Sequence, residues 1–139
     1  RCSPGIGDAV TEPEFLEADA VLFLHDCALH EYGGAQGVKS VDLLHSALGR
    51  PVNRHHYTAS GEADLFDLAA AYAYGIASNH PFNDANKRTG WGCCVLFLRV
   101  NGETIAVTAP EVVEHMVALV EGQIDEAGFA AWLRNHRKP

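Results

Sequence analysis

Ten consecutive residues carry most of the chemistry in this chain: His80-Pro81-Phe82-Asn83-Asp84-Ala85-Asn86-Lys87-Arg88-Thr89. They place an imidazole, a carboxylate, a carboxamide, an ammonium and a guanidinium in one short stretch. Each unpaired polar group costs free energy inside a core, so this stretch belongs at a surface. It lies between two strongly apolar runs, which argues that its polar groups are held on a rigid scaffold. A base, an oxygen ligand for a hard metal and several phosphate donors are the parts needed for phosphoryl or nucleotidyl transfer.

Each residue type has a role in such chemistry. His80 is the candidate general base, since imidazole is the side chain best suited to take a proton near neutral pH. Asp84 is a hard oxygen ligand able to hold Mg²⁺ against phosphates. Asn86, Lys87 and Arg88 are candidate phosphate contacts, at a helix start whose N–H groups and dipole attract anions. Arg88 can bind phosphate oxygens bidentately. Phe82 is the expected apolar anchor of the loop. Any one of these has an ordinary structural reading: a His at a helix C-terminus, an Asp as an N-cap, solvated basic side chains. The combination and order favour the functional one.

The elements that must position these groups read as helices. Thr11 to Glu14 resembles a capping box with Pro13 in the first turn, opening a helix over residues 15–32 that Gly33-Gly34 ends. Ser40 caps a short helix to Leu48, stopped by Gly49 and Pro51. Residues 50–62 mix polar types with no apolar period and are expected to form a loop or short hairpin. Residues 64–79 are apolar nearly all round, as in a central buried helix. A further helix runs over residues 89–100, with Asn101-Gly102 as its stop. Residues 103–107 are expected to be extended. Thr108 to Glu111 is a second capping box, opening a helix to about residue 121. Residues 125–136 give a last helix with Phe129, Trp132 and Leu133 facing inward. The expected fold is therefore a compact all-α bundle in one domain over residues 1–139, residues 1–12 being a loosely ordered extension.

Composition narrows the partners. The 139 residues are 47% hydrophobic, which fits a folded core rather than disorder. A formal net charge of -8 argues against nucleic acid as the main partner. The local basic pair Lys87-Arg88 suits a small phosphate ligand better than a polyanion. No apolar run is long enough to span a bilayer, and Arg1-Cys2-Ser3-Pro4 does not open a secretory signal, so a cytoplasmic location is expected. The four cysteines, Cys2, Cys27, Cys93 and Cys94, form no Cys-x-x-Cys pair and read as reduced core thiols.

The run from His80 to Arg88 resembles the signature of the Fic/Doc superfamily, and within it the Doc (death on curing) toxin branch. Residues 65–72, residues 95–98 and Asn101-Gly102 sit where that family has similar segments, so the resemblance spans about residues 15–133. It implies a helical bundle in which a short flap lies before the motif helices. AMP-transferring members resemble His-Pro-Phe-x-x-Gly-Asn-Gly-Arg-x-x-Arg. Here Ala85 and Lys87 replace the two glycines, and the final Arg falls on Trp91. The Doc branch has the same Lys. Its members are protein kinases that transfer the γ-phosphate of ATP to a hydroxyl of elongation factor Tu and stop translation. Carried over, His80 is the base, Asp84 the Mg²⁺ ligand, and Asn86, Lys87 and Arg88 the phosphate cradle. ATP and Mg²⁺ are the implied cofactors, with an antitoxin chain and a translation factor as implied partners. No Ser/Thr-x-x-x-Glu-Gly/Asn inhibitory segment occurs in this sequence, since Val117 stands before Glu121-Gly122 and Ala63 follows Glu62. Residues 50–62, with His55, His56 and Tyr57, are the expected flap that docks the target peptide.

Three other readings compete. Adenylylation of a protein hydroxyl is the nearest. A degenerate homologue that only binds an antitoxin is the second. A metal-dependent phosphohydrolase is the third, resting on His25-Asp26 with His30, His55 and His56, a weak pattern on an apolar helix.

Overall fold

The computed structural model describes residues 13–57 and 63–139, so the expected N-terminal extension lies outside the described residues. Among the described residues six helices follow in order: α1 (Ala18–Tyr32), α2 (Val41–Tyr57), α3 (Leu65–Asn79), α4 (Asn86–Val100), α5 (Ala109–Val120) and α6 (Glu126–Asn135). The helical bundle expected from the apolar patterning is present. The described residues contain isolated antiparallel bridges at Val38–Phe82 and Ile105–Arg137.

α3 is the axis of the molecule. Its residues from Phe66 through Tyr72 to Ala77 are mostly buried, and α4, α2, α6 and α5 all pack on it. A capping box starts it: Asp64 Oδ1 accepts from Asp67 N–H at 2.9 Å, and Asp67 Oδ2 accepts from Asp64 N–H at 3.1 Å. Small residues let α4 approach closely. A Cβ added at Gly90 would lie 3.0 Å from the Ala73 carbonyl oxygen. Cys93 and Cys94 are buried in the α3–α4 contact, and burial pushes the Cys93 thiol up to about 12 and that of Cys94 up further. Cys27 is exposed, unlike the core thiol expected there.

α4 begins at Asn86, three residues before its expected start, and two other boundaries differ from the sequence expectation. The first capping box does not form at Glu14. Its N–H donates to Asn101 Oδ1 at 2.7 Å and its carbonyl accepts from Asn101 Nδ2 at 2.9 Å. Residues 13–17 run extended over the core, where Leu16 N–H donates to the Tyr72 hydroxyl at 2.9 Å and Phe15 stacks on Phe97.

The second difference is larger. Ser40 Oγ does accept from Leu43 N–H, as an N-cap should, but the helix runs on through Gly49 and Pro51 to Tyr57. Residues 50–57 are therefore helical, not a loop or hairpin, and residues 58–62 lie outside the described residues. A helix-interior Pro costs about 3 kcal/mol. Tertiary contacts on the same turns offset it. Pro51 is fully buried, Arg50 forks onto Glu126 and stacks over Tyr74, and Arg54 approaches Asp67 at 3.8 Å.

α6 is fastened to the start of α3 by Arg134, which donates to Asp64 Oδ2 from Nε at 2.8 Å and to Oδ1 at 2.9 Å. Partial burial opposes ionisation of Asp64, but Arg134 and the Asp67 N–H outweigh it and hold the carboxyl below its ordinary value. A depressed folded pKa contributes stability above the unfolded value and loses it as pH falls through the folded one. Arg134→Ala is expected to cost about 1 kcal/mol at neutral pH. Urea melts of the two proteins should converge in strong acid; a gap that persists there would remove the ion pair as its cause.

Candidate active site

The ten-residue motif forms the turn from α3 into α4 and the first turn of α4. His80 ends α3 in the left-handed region, at φ 53° and ψ 55°, with its N–H on the Ile76 carbonyl. Its side chain is exposed, and its ring makes no hydrogen bond among the described residues. Ala85 precedes α4, also left-handed at φ 63°, and no side chain caps that helix. The first N–H groups of a helix lack intrahelical partners, so this end of α4 presents donors and positive dipole to the site.

The loop is held from three sides. Phe82 is buried, as an anchor should be. Asn86 reaches back to it, accepting from Phe82 N–H at 3.0 Å and donating to its carbonyl at 3.1 Å. The Asn86 amide thus shapes the loop through its oxygen and one of its two N–H groups, and its second N–H is the one left for a phosphate contact. The second side is the link between α1 and α2. Pro81 O accepts from Lys39 and Ser40 N–H, and Gly37 O accepts from Asn83 N–H at 3.1 Å. Asn83 Nδ2 donates to Gln36 O, and Val38 forms a bridge with Phe82. The third side is His25 of α1, stacked on the Phe82 ring with centroids 3.8 Å apart.

Asp84 is exposed in the middle of this arrangement. Its Oδ1 accepts from Ala85 N–H at 2.8 Å and its Oδ2 from Ala35 N–H at 3.3 Å. These two bonds, followed by the fields of Arg88 and His25, hold its carboxyl below the ordinary carboxylate range. Arg88 lies over the Tyr32 ring at 4.8 Å, and Lys87 is exposed beside it. Both line a cleft of about 600 Å³ between α1, α4 and α5, whose other walls include Leu24, Trp91, Val112 and Met116.

His80 thus caps the end of α3, and Asp84, Lys87 and Arg88 follow in the turn and the first turn of α4. His55 and His56 lie elsewhere, near the C-terminal end of α2, the helix that ends at residue 57. Ser40, at the start of α2, bonds Pro81 near the end of α3, whereas Arg54 meets Asp67 in the first turn of α3. The end of α2 thus lies about 20 Å, the length of α3, from His80. This overturns the expected flap at residues 50–57. The strand-like segment beside the motif is residues 33–40, whose Gly33-Gly34 and Ser40 are by type a helix stop and a cap. Its signal was the glycine spacing Gly33, Gly34 and Gly37, each at positive φ. The histidines of the phosphohydrolase reading are likewise apart from one another in role: His25 is committed to the loop. Among the described residues no three His, Cys, Asp or Glu side chains form a metal-binding group.

Comparison with known proteins agrees with this geometry. The family model for the Fic/DOC family matches residues 15–98. "Protein kinase doc" of Escherichia phage P1 is 34% identical over 119 residues, covering 86% of this chain and 92% of that protein. "Toxin Doc" of Mycolicibacterium smegmatis is 34% identical over 127 residues, covering 85% of this chain and 95% of that protein. A helical bundle with the motif loop between its two most buried helices, and this similarity over most of the chain, show that the protein belongs to the Fic/DOC family.

Proposed function

We propose that this chain is a toxin-like protein kinase that moves the γ-phosphate of ATP to a Ser or Thr hydroxyl of a translation factor and is restrained by a separate antitoxin. The observation that carries it is the first turn of α4. Lys87 and Arg88 line the cleft there, and Trp91, one turn on, contributes an apolar wall to it. An AMP-transferring pattern needs glycine at the first position and a cation at the last. Two adjacent cations at a helix start instead suit a phosphoryl group that is itself being transferred. The names of the two relatives support both the kinase and the toxin part of the reading.

The residues present suit ATP and Mg²⁺. Asp84 offers an exposed, ionised oxygen ligand, and Mg²⁺ is commonly held by one or two carboxylates together with substrate phosphates. When bound, the metal would offset phosphate charge. The chain's own residues do the rest. His80 takes the proton of the acceptor hydroxyl, whose oxygen bonds to the γ-phosphorus. The bond from that phosphorus to the β–γ bridging oxygen breaks, and ADP leaves with Lys87 and Arg88 beside the charge. Residues 33–40, already paired with the motif through Val38, are the segment suited to align a target strand. Among the described residues no helix is long and apolar enough to cross a membrane.

Incubation of a translation factor with the protein and labelled ATP tests this. Label on the γ-phosphate should pass to the target and label on the α-phosphate should not. The reverse would make the protein an adenylyltransferase on the same site.

A further inference from the structure

One peptide group joins Asp84 to Ala85, and both of its ends are held. Its carbonyl oxygen meets His25 Nε2 at 3.0 Å, and its N–H donates to Asp84's own Oδ1 at 2.8 Å. A carbonyl only accepts, so the Nε2 of His25 carries a proton. The imidazole is 3% exposed and lies nearly parallel to the Phe82 ring, at 10°. It is thus a buried donor aimed at one backbone atom 59 residues away in the chain.

The residue after this peptide is strained. Ala85 stands at φ 63°, in a region that residues with a Cβ avoid. Turning the Asp84–Ala85 peptide over would change ψ of Asp84 and φ of Ala85 together. It would return Ala85 to negative φ and take the N–H away from the Asp84 carboxylate. The backbone strain favours that flip, and the bond from His25 opposes it. The Asn86 bonds hold Phe82, two residues earlier, and do not reach this plane.

We propose that His25 is a positioning residue which locks the Asp84–Ala85 peptide and so sets the Asp84 carboxylate toward the phosphate site. The consequence for metal binding rests on the reading of Asp84 given above. The lock itself does not.

The test uses the full chain in four forms: wild type, His25→Phe, His25→Gln, and His25→Phe with Ala85→Gly. Phenylalanine keeps the stack on Phe82 and loses the donor. Glutamine keeps an N–H donor. Glycine accepts either sign of φ and removes the strain that drives the flip. Amide hydrogen exchange at Ala85 reads the lock directly, and calorimetric titration of Mg²⁺ into protein with ATP reads its effect. In His25→Phe, Ala85 exchange should accelerate while α3 and α4 keep their protection. Mg²⁺ affinity should fall about tenfold, as for other groups that orient metal ligands, with the loss in the Mg²⁺ requirement rather than in kcat. Glutamine, or glycine at position 85, should restore part of both. Unchanged exchange and affinity in His25→Phe would overturn the proposal, as would exchange accelerated equally across α1 and α4, which would make His25 a packing residue only. A wild-type protein that transfers nothing from ATP would remove the kinase reading, while the Ala85 exchange would still decide the lock.

Discussion

His80→Ala should lower phosphotransfer by about 10²–10⁴-fold, the usual contribution of a general base, and leave the fold in place. The ring is exposed and holds nothing else among the described residues, so its loss removes no structural contact. The backbone needs more care. His80 is left-handed at φ 53°, where alanine is less at ease than histidine. His80→Asn is therefore the better control, because asparagine tolerates that region and cannot serve as a base. Both variants should lose transfer together, with thermal melts close to wild type. Transfer at the wild-type rate in either would mean that another group takes the proton.

Gly34→Ala is expected to be nearly as damaging, although Gly34 belongs to another segment and carries no side chain. A Cβ at that position would lie 2.8 Å from Asp84 Oδ2 and 3.1 Å from its Cγ. Real contacts do not come that close, so the carboxylate or the segment must move. The backbone adds to the conflict, since Gly34 sits at φ 130°. Misplacing a reacting group by an ångström can cost about 10²-fold in rate, and a loss of that order is expected here. Gly33→Ala separates the two causes. Gly33 is also at positive φ, 78°, but nothing lies within 4 Å of its added Cβ. It should keep most of the activity. Equal losses in the two variants would show that backbone strain, and not displacement of Asp84, is responsible.

The helices were legible because their signals are local. The capping box at Thr108 and the all-round apolar run between Leu65 and Ala77 each specify an element from neighbouring residues alone. The continuation of α2 past Pro51 was not legible. Gly49 and Pro51 are valid stop signals, and what overrides them is a fork from Arg50 to a residue 76 positions later. The site shows the same division. His80, Asp84, Lys87 and Arg88 declare their chemistry by type and order. Asn86 and His25 act through hydrogen bonds to backbone atoms, and a backbone atom leaves no trace in a residue pattern. Hence the loop-shaping bonds of Asn86 went unread, and His25 read as half of a metal pair. The misplacement of the flap has a third cause. Residues 33–40 are short and glycine-rich, with one bridging residue, Val38, too few for strand periodicity.

His80 caps the C-terminus of α3, the most deeply buried helix among the described residues, and this bears on how such a site can be controlled. α3 as a whole moves only if contacts with α2, α4, α5 and α6 open together, so displacing the backbone that carries His80 approaches the cost of unfolding. Covering the cleft beside Lys87 and Arg88 breaks none of those contacts. A site mounted this way is cheap to obstruct and expensive to melt. An inhibitor that works by obstruction leaves behind, when it is degraded or released, a fully formed site that needs no refolding before its first turnover.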